Sequence, residues 1–230
     1  DLVADIEAAG IPIHHIDFGG GLGIDYNGDT PPAADLLWQQ LFAKLDARGY
    51  GKRQFMIEPG RSLVGNAGVC LSEVVFMKPG EQKNFCIIDA AMNDLPRPAM
   101  YQAYHGIEPL QQGSGASARY DVVGPVCESG DYLAKGRRLP RVEPGDLLAT
   151  MTAGAYGATM ASTYNSRPLV PEVMVKGDEW AIVSQRNQPA AMLALEVPAD
   201  ARDERQQTAL FRAWRAQEPA ARKFHTEADT

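Results

Sequence analysis

An α/β layer followed by an antiparallel β domain is the fold class the sequence predicts, and three observations predict it. Residues 1 to 65 alternate helical and strand-like stretches, with glycine clusters where the strands end. Residues 66 to 190 carry short strand-like runs separated by turn residues. Residues 191 to 230 turn charged and read as a helical tail. With 230 residues, 45% of them hydrophobic, the chain can bury at least one sizeable core.

The elements follow in order. Leu2, Ile6 and Ala9 recur at helical spacing and Gly10 stops them, so residues 2 to 9 form a short helix. Residues 13 to 18 are short and apolar enough for a buried strand that runs into Gly19, Gly20, Gly21 and Gly23. Thr30-Pro31 opens the next helix, with Leu37, Leu41 and Leu45 along one face and Gly49 at its end. Residues 55 to 57 give a second buried strand. Beyond Arg61, strands are expected at 69 to 77, 85 to 89, 120 to 126, 147 to 150 and 173 to 183. The last is a hairpin in which Gly177 supplies the positive φ of a tight connection. The irregular stretches 93 to 115 and 154 to 167 are long, polar and rich in Pro and Gly, as functional loops often are. In the tail, Leu210, Phe211 and Trp214 mark one amphipathic helix.

Composition excludes several classes of function. A net charge of -7 and the lack of any Lys/Arg run argue against nucleic acid as a partner. No apolar run approaches the ~18 residues that cross a bilayer, and residues 1 to 10 lack a signal-peptide pattern, so a soluble cytoplasmic protein is expected. Cys70, Cys86 and Cys127 are odd in number and form no CxxC pair, which fits reduced thiols. No metal site is expected: His14 and His15 are adjacent and point to opposite sides of a strand, and His105 and His225 are isolated. The chain opens on Asp1 inside a helical stretch, so it is expected to be a fragment.

Several motifs carry chemistry. Gly19-Gly20-Gly21 after a strand lets backbone N–H groups converge on a phosphate, although alone it reads equally as a tight turn. A dinucleotide fingerprint would need glycine at position 24 or 26, where Ile24 and Tyr26 stand. Glu58-Pro59-Gly60-Arg61 places an anion and a cation at the next strand end, where an ion pair closing the strand is the plainer reading. Cys127 alone reads as a small hydrophobe, and Tyr156 between small residues reads as packing.

In series these motifs become specific. The glycine strand end followed by Glu58-Pro59-Gly60-Arg61 resembles the pyridoxal-phosphate (PLP) decarboxylases of basic amino acids, built on an alanine-racemase-like barrel. The resemblance implies the last strands of a PLP-binding (β/α)8 barrel in residues 1–65, and an antiparallel β-barrel or sandwich in 66–190 carrying substrate and acid residues. It implies that Gly20 and Gly21 hold the PLP phosphate and that the turn of Glu58, Pro59, Gly60 and Arg61 binds the cofactor. Glu58 would contact the pyridine nitrogen, keeping it protonated so that the ring accepts the electron pair left as CO2 departs. Arg61 would reach the phosphate or the substrate carboxylate, both suited to a bidentate guanidinium.

Residues 89 to 101, DAAMNDLPRPAMY, resemble the segment by which diaminopimelate-acting members hold substrate, which assigns Arg97 and Tyr101 to that task. Cys127-Glu128-Ser129-Gly130-Asp131 is similar to the block that supplies a cysteine acid across a dimer interface and a glutamate for the distal ammonium. Cys127 would return the proton and Glu128 would bind substrate. Gly154-Ala155-Tyr156-Gly157 resembles the turn whose tyrosine touches PLP or substrate, and residues 164 to 168 fit the family without a role. The implied activity is conversion of meso-2,6-diaminopimelate to L-lysine and CO2 by a homodimer with shared sites.

A (β/α)8 barrel takes about 250 residues, so only its last strands fit ahead of Glu58. None of Lys44, Lys52, Lys78, Lys83, Lys135, Lys176 or Lys223 has the context of the lysine that bonds PLP, so this polypeptide alone is expected to be inactive. Another basic amino-acid decarboxylase, of ornithine or arginine type, a non-catalytic regulatory homologue, and a β domain used for assembly are the alternatives.

Overall fold

The computed structural model describes residues 1–111, 116–196 and 212. The expected tail helix at Leu210, Phe211 and Trp214 lies outside the described residues. The chain begins with α1 (Leu2–Ala8), β1 (His15–Asp17), α2 (Ala34–Ala47) and β2 (Gln54–Met56). β1 and β2 pair in parallel, with Ile16 opposite Phe55. Phe55 lies 5.9 Å from Phe42 of α2 and 5.8 Å from Phe18, so aromatic contacts seat the helix on the strands.

Two details differ from the sequence reading. α2 starts at Ala34 rather than at Thr30-Pro31: Pro32 disfavours helical backbone at Pro31 before it, and Ala33 is still extended at ψ 141° as the N-cap. The strands expected to be buried are half open, with Met56 and Ile57 about two-fifths exposed, since one helix covers one face of a two-stranded sheet.

After α3 (Arg61–Val64) the chain builds a six-stranded sheet. Its strands are β3 (Cys70–Lys78), β4 (Asn84–Ile88), β5 (Ile107–Pro109), β6 (Ala118–Val123), β7 (Tyr132–Leu139) and β8 (Leu147–Thr150). The order is β5-β8-β3-β4-β6-β7, and the two edge strands β5 and β7 approach each other, so the sheet is nearly closed into a barrel. α4 (Arg97–Tyr101) packs beside β7.

This domain is not wholly antiparallel. β4 and β6 run in parallel, because the chain leaving β4 crosses through α4 and β5 to the far edge before returning as β6. Two strands escaped the sequence reading, β5 and β7. β5 is three residues long, and β7 carries Lys135, Arg137 and Arg138 with Gly136 at φ +58°, features of a bulged edge strand rather than an apolar run. Gly136 N–H donates to Asp121 Oδ1 at 2.7 Å, where the β6–β7 register shifts.

Side chains alternating along these strands meet inside the sheet. Val74 faces Ile88 and Cys86 faces Val122 in register, and with Leu133, Leu139 and Leu148 they form one fully buried cluster. Each such side chain contributes about 1.5–3 kcal/mol of burial free energy. β9 (Glu172–Lys176) and β10 (Glu179–Ser184) form the expected hairpin as a separate pair, with Gly177 at φ +60°, and α5 (Pro189–Leu193) follows. No helix among the described residues is long and apolar enough to cross a membrane.

The two layers are joined backbone to backbone. Ala153 N–H donates to Gly68 O at 2.8 Å and Gly154 N–H to Gly65 O at 3.1 Å. A Cβ on Gly154 would lie 1.9 Å from Val64 O, and one on Gly68 would lie 2.5 Å from Gly154 Cα. Gly154→Ala is therefore expected to cost about 3 kcal/mol or more, whereas Gly23→Ala, whose nearest neighbour would be 3.9 Å away, should change stability by under about 0.5 kcal/mol. Urea midpoints of the two variants check this, and equal midpoints would show that the junction yields freely.

Candidate active site

The two glycine-bearing strand ends meet. Glu58 N–H donates to Gly19 O at 2.7 Å, and Phe18 N–H donates to Met56 O at 3.0 Å. A Cβ on Gly20 would stand 2.5 Å from Glu58 O, so only glycine allows this approach. Gly19 N–H is taken by Asp17 Oδ1 at 2.8 Å. The N–H groups of Gly20 and Gly21 find no acceptor among the described residues and remain available to an anion. Glu58, Pro59 and Gly60 are exposed beside them; Arg61 opens α3 with its side chain half-buried.

A second cluster forms around Arg97. Its Nη1 donates to Tyr26 Oη at 2.9 Å and meets His105 Nε2 at 3.1 Å. The guanidinium carbon lies 4.9 Å from the Tyr26 ring and 5.9 Å from the Tyr156 ring. Tyr26 comes from the loop after β1, Arg97 from α4 and Tyr156 from the turn after β8, so three distant segments converge. Asn66 helps to hold them, its Nδ2 donating to Asp25 O at 2.9 Å and to Thr152 Oγ1 at 3.2 Å. Tyr156 and Thr152 both sit at φ +59°, a left-handed conformation that costs a non-glycine residue about 1–3 kcal/mol and persists only where the surroundings impose it. Here the surroundings are the 65–68 and 153–155 junction between them. Tyr101, at the end of α4, is exposed.

Cys127 and Glu128 occupy the loop between β6 and β7. Cys127 is exposed, while burial pushes Cys70 and Cys86 up to about 11 and keeps them as inert thiols. Gly130 N–H donates to Glu128 Oε1 at 2.9 Å and Tyr164 O–H donates to Oε2 at 3.0 Å. These two donors, Gly130 first, hold the Glu128 carboxyl below the usual carboxylate range and so keep it anionic. No hydrogen bond among the described residues joins Cys127 or Glu128 directly to Arg97 or Tyr156.

Sequence reasoning missed the groups that hold these side chains in place. Asp131, 4% exposed, accepts from Met92 N–H at 2.7 Å and Val126 N–H at 3.0 Å, tying the 89–96 segment to the Cys127 loop. Asp94 accepts from Ala91 N–H at 2.9 Å and pairs with Arg167, which also donates to Asn93 Oδ1 at 3.0 Å. Burial pushes the Asp94 carboxyl up, against the Ala91 N–H and Arg167. His105, fully buried, bonds Met151 O through Nδ1 at 2.9 Å. The five residues from Cys127 to Asp131 stood in one motif, but nothing in the sequence distinguished a buried carboxylate from a surface one. For His105 and Tyr26 no local signal existed.

Replacing Asp131 with Asn puts an amide donor against one of two backbone donors and should cost about 2–3 kcal/mol. Amide exchange at Met92 and Val126 should accelerate together; unchanged protection at both would remove Asp131 from this role. His105 supplies a pH dependence. Burial first, then the Arg97 and Arg137 charges, lower its pKa from the ordinary 6.5, against the opposing pull of Met151 O. The unfolded chain therefore takes up a proton near 6.5 that the folded chain refuses, so stability is full above that value and falls as pH drops towards the folded pKa. His105→Gln should flatten the urea midpoint between pH 7 and 5 relative to the native chain; parallel curves would contradict the assignment.

The family model of the pyridoxal-dependent decarboxylase C-terminal sheet domain matches residues 2–154. Diaminopimelate decarboxylase of Vibrio cholerae is 47% identical over 195 residues, covering 85% of this chain and 46% of that protein. The Archaeoglobus fulgidus diaminopimelate decarboxylase is 44% identical over 190 residues, covering 81% and 45%. The crystal structure of diaminopimelate decarboxylase from M. jannaschii in co-complex with L-lysine aligns with a TM-score of 0.80 at 34% identity, covering 87% of this chain and 46% of that one. The Helicobacter pylori enzyme complexed with L-lysine aligns with a TM-score of 0.75 at 36% identity, covering 84% and 47%. The chain thus spans about half the length of the curated relatives it matches. On the matched sheet domain and the motifs it carries, the chain belongs to the pyridoxal-dependent decarboxylases.

Proposed function

We propose that residues 1–230 act within a PLP-dependent decarboxylase that converts meso-2,6-diaminopimelate to L-lysine and CO2, as the carboxyl-terminal half of a longer enzyme. The observation that carries this reading is the convergence of Arg97 and Tyr156 with Tyr26, which stands on the loop that leads on from the glycine turn packed on Glu58 O. β1 and β2 are then the last strands of a (β/α)8 barrel, and the lysine that bonds the cofactor lies outside these residues.

The residues present fit the cofactor. Gly20 and Gly21 offer its phosphate two N–H groups that have no acceptor among the described residues, and the exposed Glu58 carboxylate suits the pyridine nitrogen. Pro59 and Gly60 shape that turn, and Arg61 supplies a cation beside it. When bound, PLP takes up the electron pair left at the α-carbon as CO2 departs. Arg97 and Tyr101 hold the substrate carboxylate and Tyr156 closes over the reacting end. The anionic Glu128, kept charged by Gly130 and Tyr164, receives the distal ammonium. The Cys127 thiol returns a proton to the α-carbon. Because no hydrogen bond among the described residues joins Cys127 or Glu128 directly to the Arg97 cluster, a homodimer that shares its sites completes this reading. Free Cys70, Cys86 and Cys127 accord with a cytoplasmic setting.

Purified full-length enzyme should release CO2 from meso-diaminopimelate and form lysine, with ornithine and arginine, which lack a distal carboxylate, turned over at least about a hundredfold less efficiently. Cys127→Ser should lower kcat by about 10²-fold or more while the cofactor spectrum persists. No lysine from diaminopimelate, or faster release from ornithine, would defeat the substrate assignment.

A further inference from the structure

Arg97 and His105 restrict each other's chemistry. A carbonyl oxygen can only accept, so the 2.9 Å contact with Met151 O places a hydrogen on His105 Nδ1. A guanidinium can only donate, so the 3.1 Å contact with Arg97 Nη1 requires His105 Nε2 to be bare. Both conditions hold together only for the neutral Nδ1–H tautomer. The site around the ring enforces them. It is fully buried, Tyr26 stands edge-on at 5.6 Å, and the positive charges of Arg97 on α4 and Arg137 on β7 face it.

The consequence concerns which edge of Arg97 remains free. Nη1 carries two hydrogens; Tyr26 Oη accepts one and His105 Nε2 accepts the other. Nη2 and Nε have no hydrogen-bond partner among the described residues, so their three hydrogens are left over. The Nε–Nη2 edge matches a carboxylate bidentately.

We infer that His105 is a positioning residue: as a neutral acceptor it saturates Arg97 Nη1 together with Tyr26, and so fixes the Nε–Nη2 edge as the one presented to a substrate carboxylate. This rests on the assignment of Arg97 to substrate binding. His105 touches neither substrate nor cofactor and acts only through Arg97.

Two variants divide the ring's roles in the holoenzyme. Asn at position 105 can keep the bond to Met151 O but cannot reach Arg97, whereas Gln can place an amide oxygen where Nε2 stands. His105→Asn should raise KM for diaminopimelate about tenfold with kcat within about threefold, and His105→Gln should restore most of the native KM. An unchanged KM in folded His105→Asn enzyme, equal KM values for the two variants, or a loss confined to kcat would each overturn the inference. Histidine-selective ¹⁵N labelling of the full-length enzyme reads the geometry without any substrate. It should show His105 protonated at Nδ1 and bare at Nε2 at pH 7; the opposite tautomer or an imidazolium would overturn the inference even if a variant failed to fold. An enzyme inert towards diaminopimelate would instead defeat the proposed function, leaving the tautomer to decide the Arg97–His105 pairing by itself.

Discussion

The whole site depends on two stretches of backbone lying against each other without side chains between them. Residues 64–68, leaving the parallel layer, and 153–155, leaving β8, approach so closely that Gly68 and Gly154 leave no room for a Cβ. Two main-chain hydrogen bonds, Ala153 to Gly68 and Gly154 to Gly65, satisfy the polar groups that such contact buries. This junction determines where everything else can be. It holds the turn after β8 close to the loop after β1, so that Tyr156 and Tyr26 both reach Arg97. It also sustains the left-handed backbone at Thr152 and Tyr156, which an isolated turn would relax.

On that frame the charged groups are held by partners that limit their freedom more than their charge. Arg97 loses one nitrogen to Tyr26 and His105, Glu128 is gripped at both oxygens, and Asp131 spends its carboxylate on backbone N–H groups. Each arrangement orders a long side chain or a loop before any ligand arrives, which reduces the entropy lost on binding. The ionic partners Asp94 and Arg167 serve the same end inside the 89–97 segment, where a lone buried carboxylate would be costly.

Much of this was legible in the sequence, for physical reasons. Strand positions followed from apolar runs, and the glycine and Glu58 segments were expected at neighbouring strand ends, where β1 and β2 pair. The hairpin at Gly177 was visible because a positive φ leaves few choices of residue. The parallel pairing of β4 with β6 was not visible, since pairing direction depends on a crossover that no local pattern records. β7 hid because a bulged, charged edge strand lacks the alternation that marks a strand. Among candidate site residues, the motifs singled out groups such as Arg97 and Glu128, whereas nothing pointed to Tyr26 and His105. Their significance lies in meeting Arg97 across 71 and 8 positions of chain, a fact of tertiary structure alone.

The 89–97 segment links two clusters that no hydrogen bond among the described residues joins directly. It leaves β4 and is pinned by the Arg167–Asn93–Asp94 contacts; Met92 N–H then reaches Asp131, and Arg97 closes the segment at the start of α4. The Cys127–Glu128 loop is therefore indexed against the same short span that carries Arg97, through the backbone rather than through the reactive groups. A displacement of that span would move both clusters together and keep their spacing. If the two belong to different active sites of a dimer, as proposed, the segment is the mechanical link between them, and its buried ionic network is what keeps that link stiff.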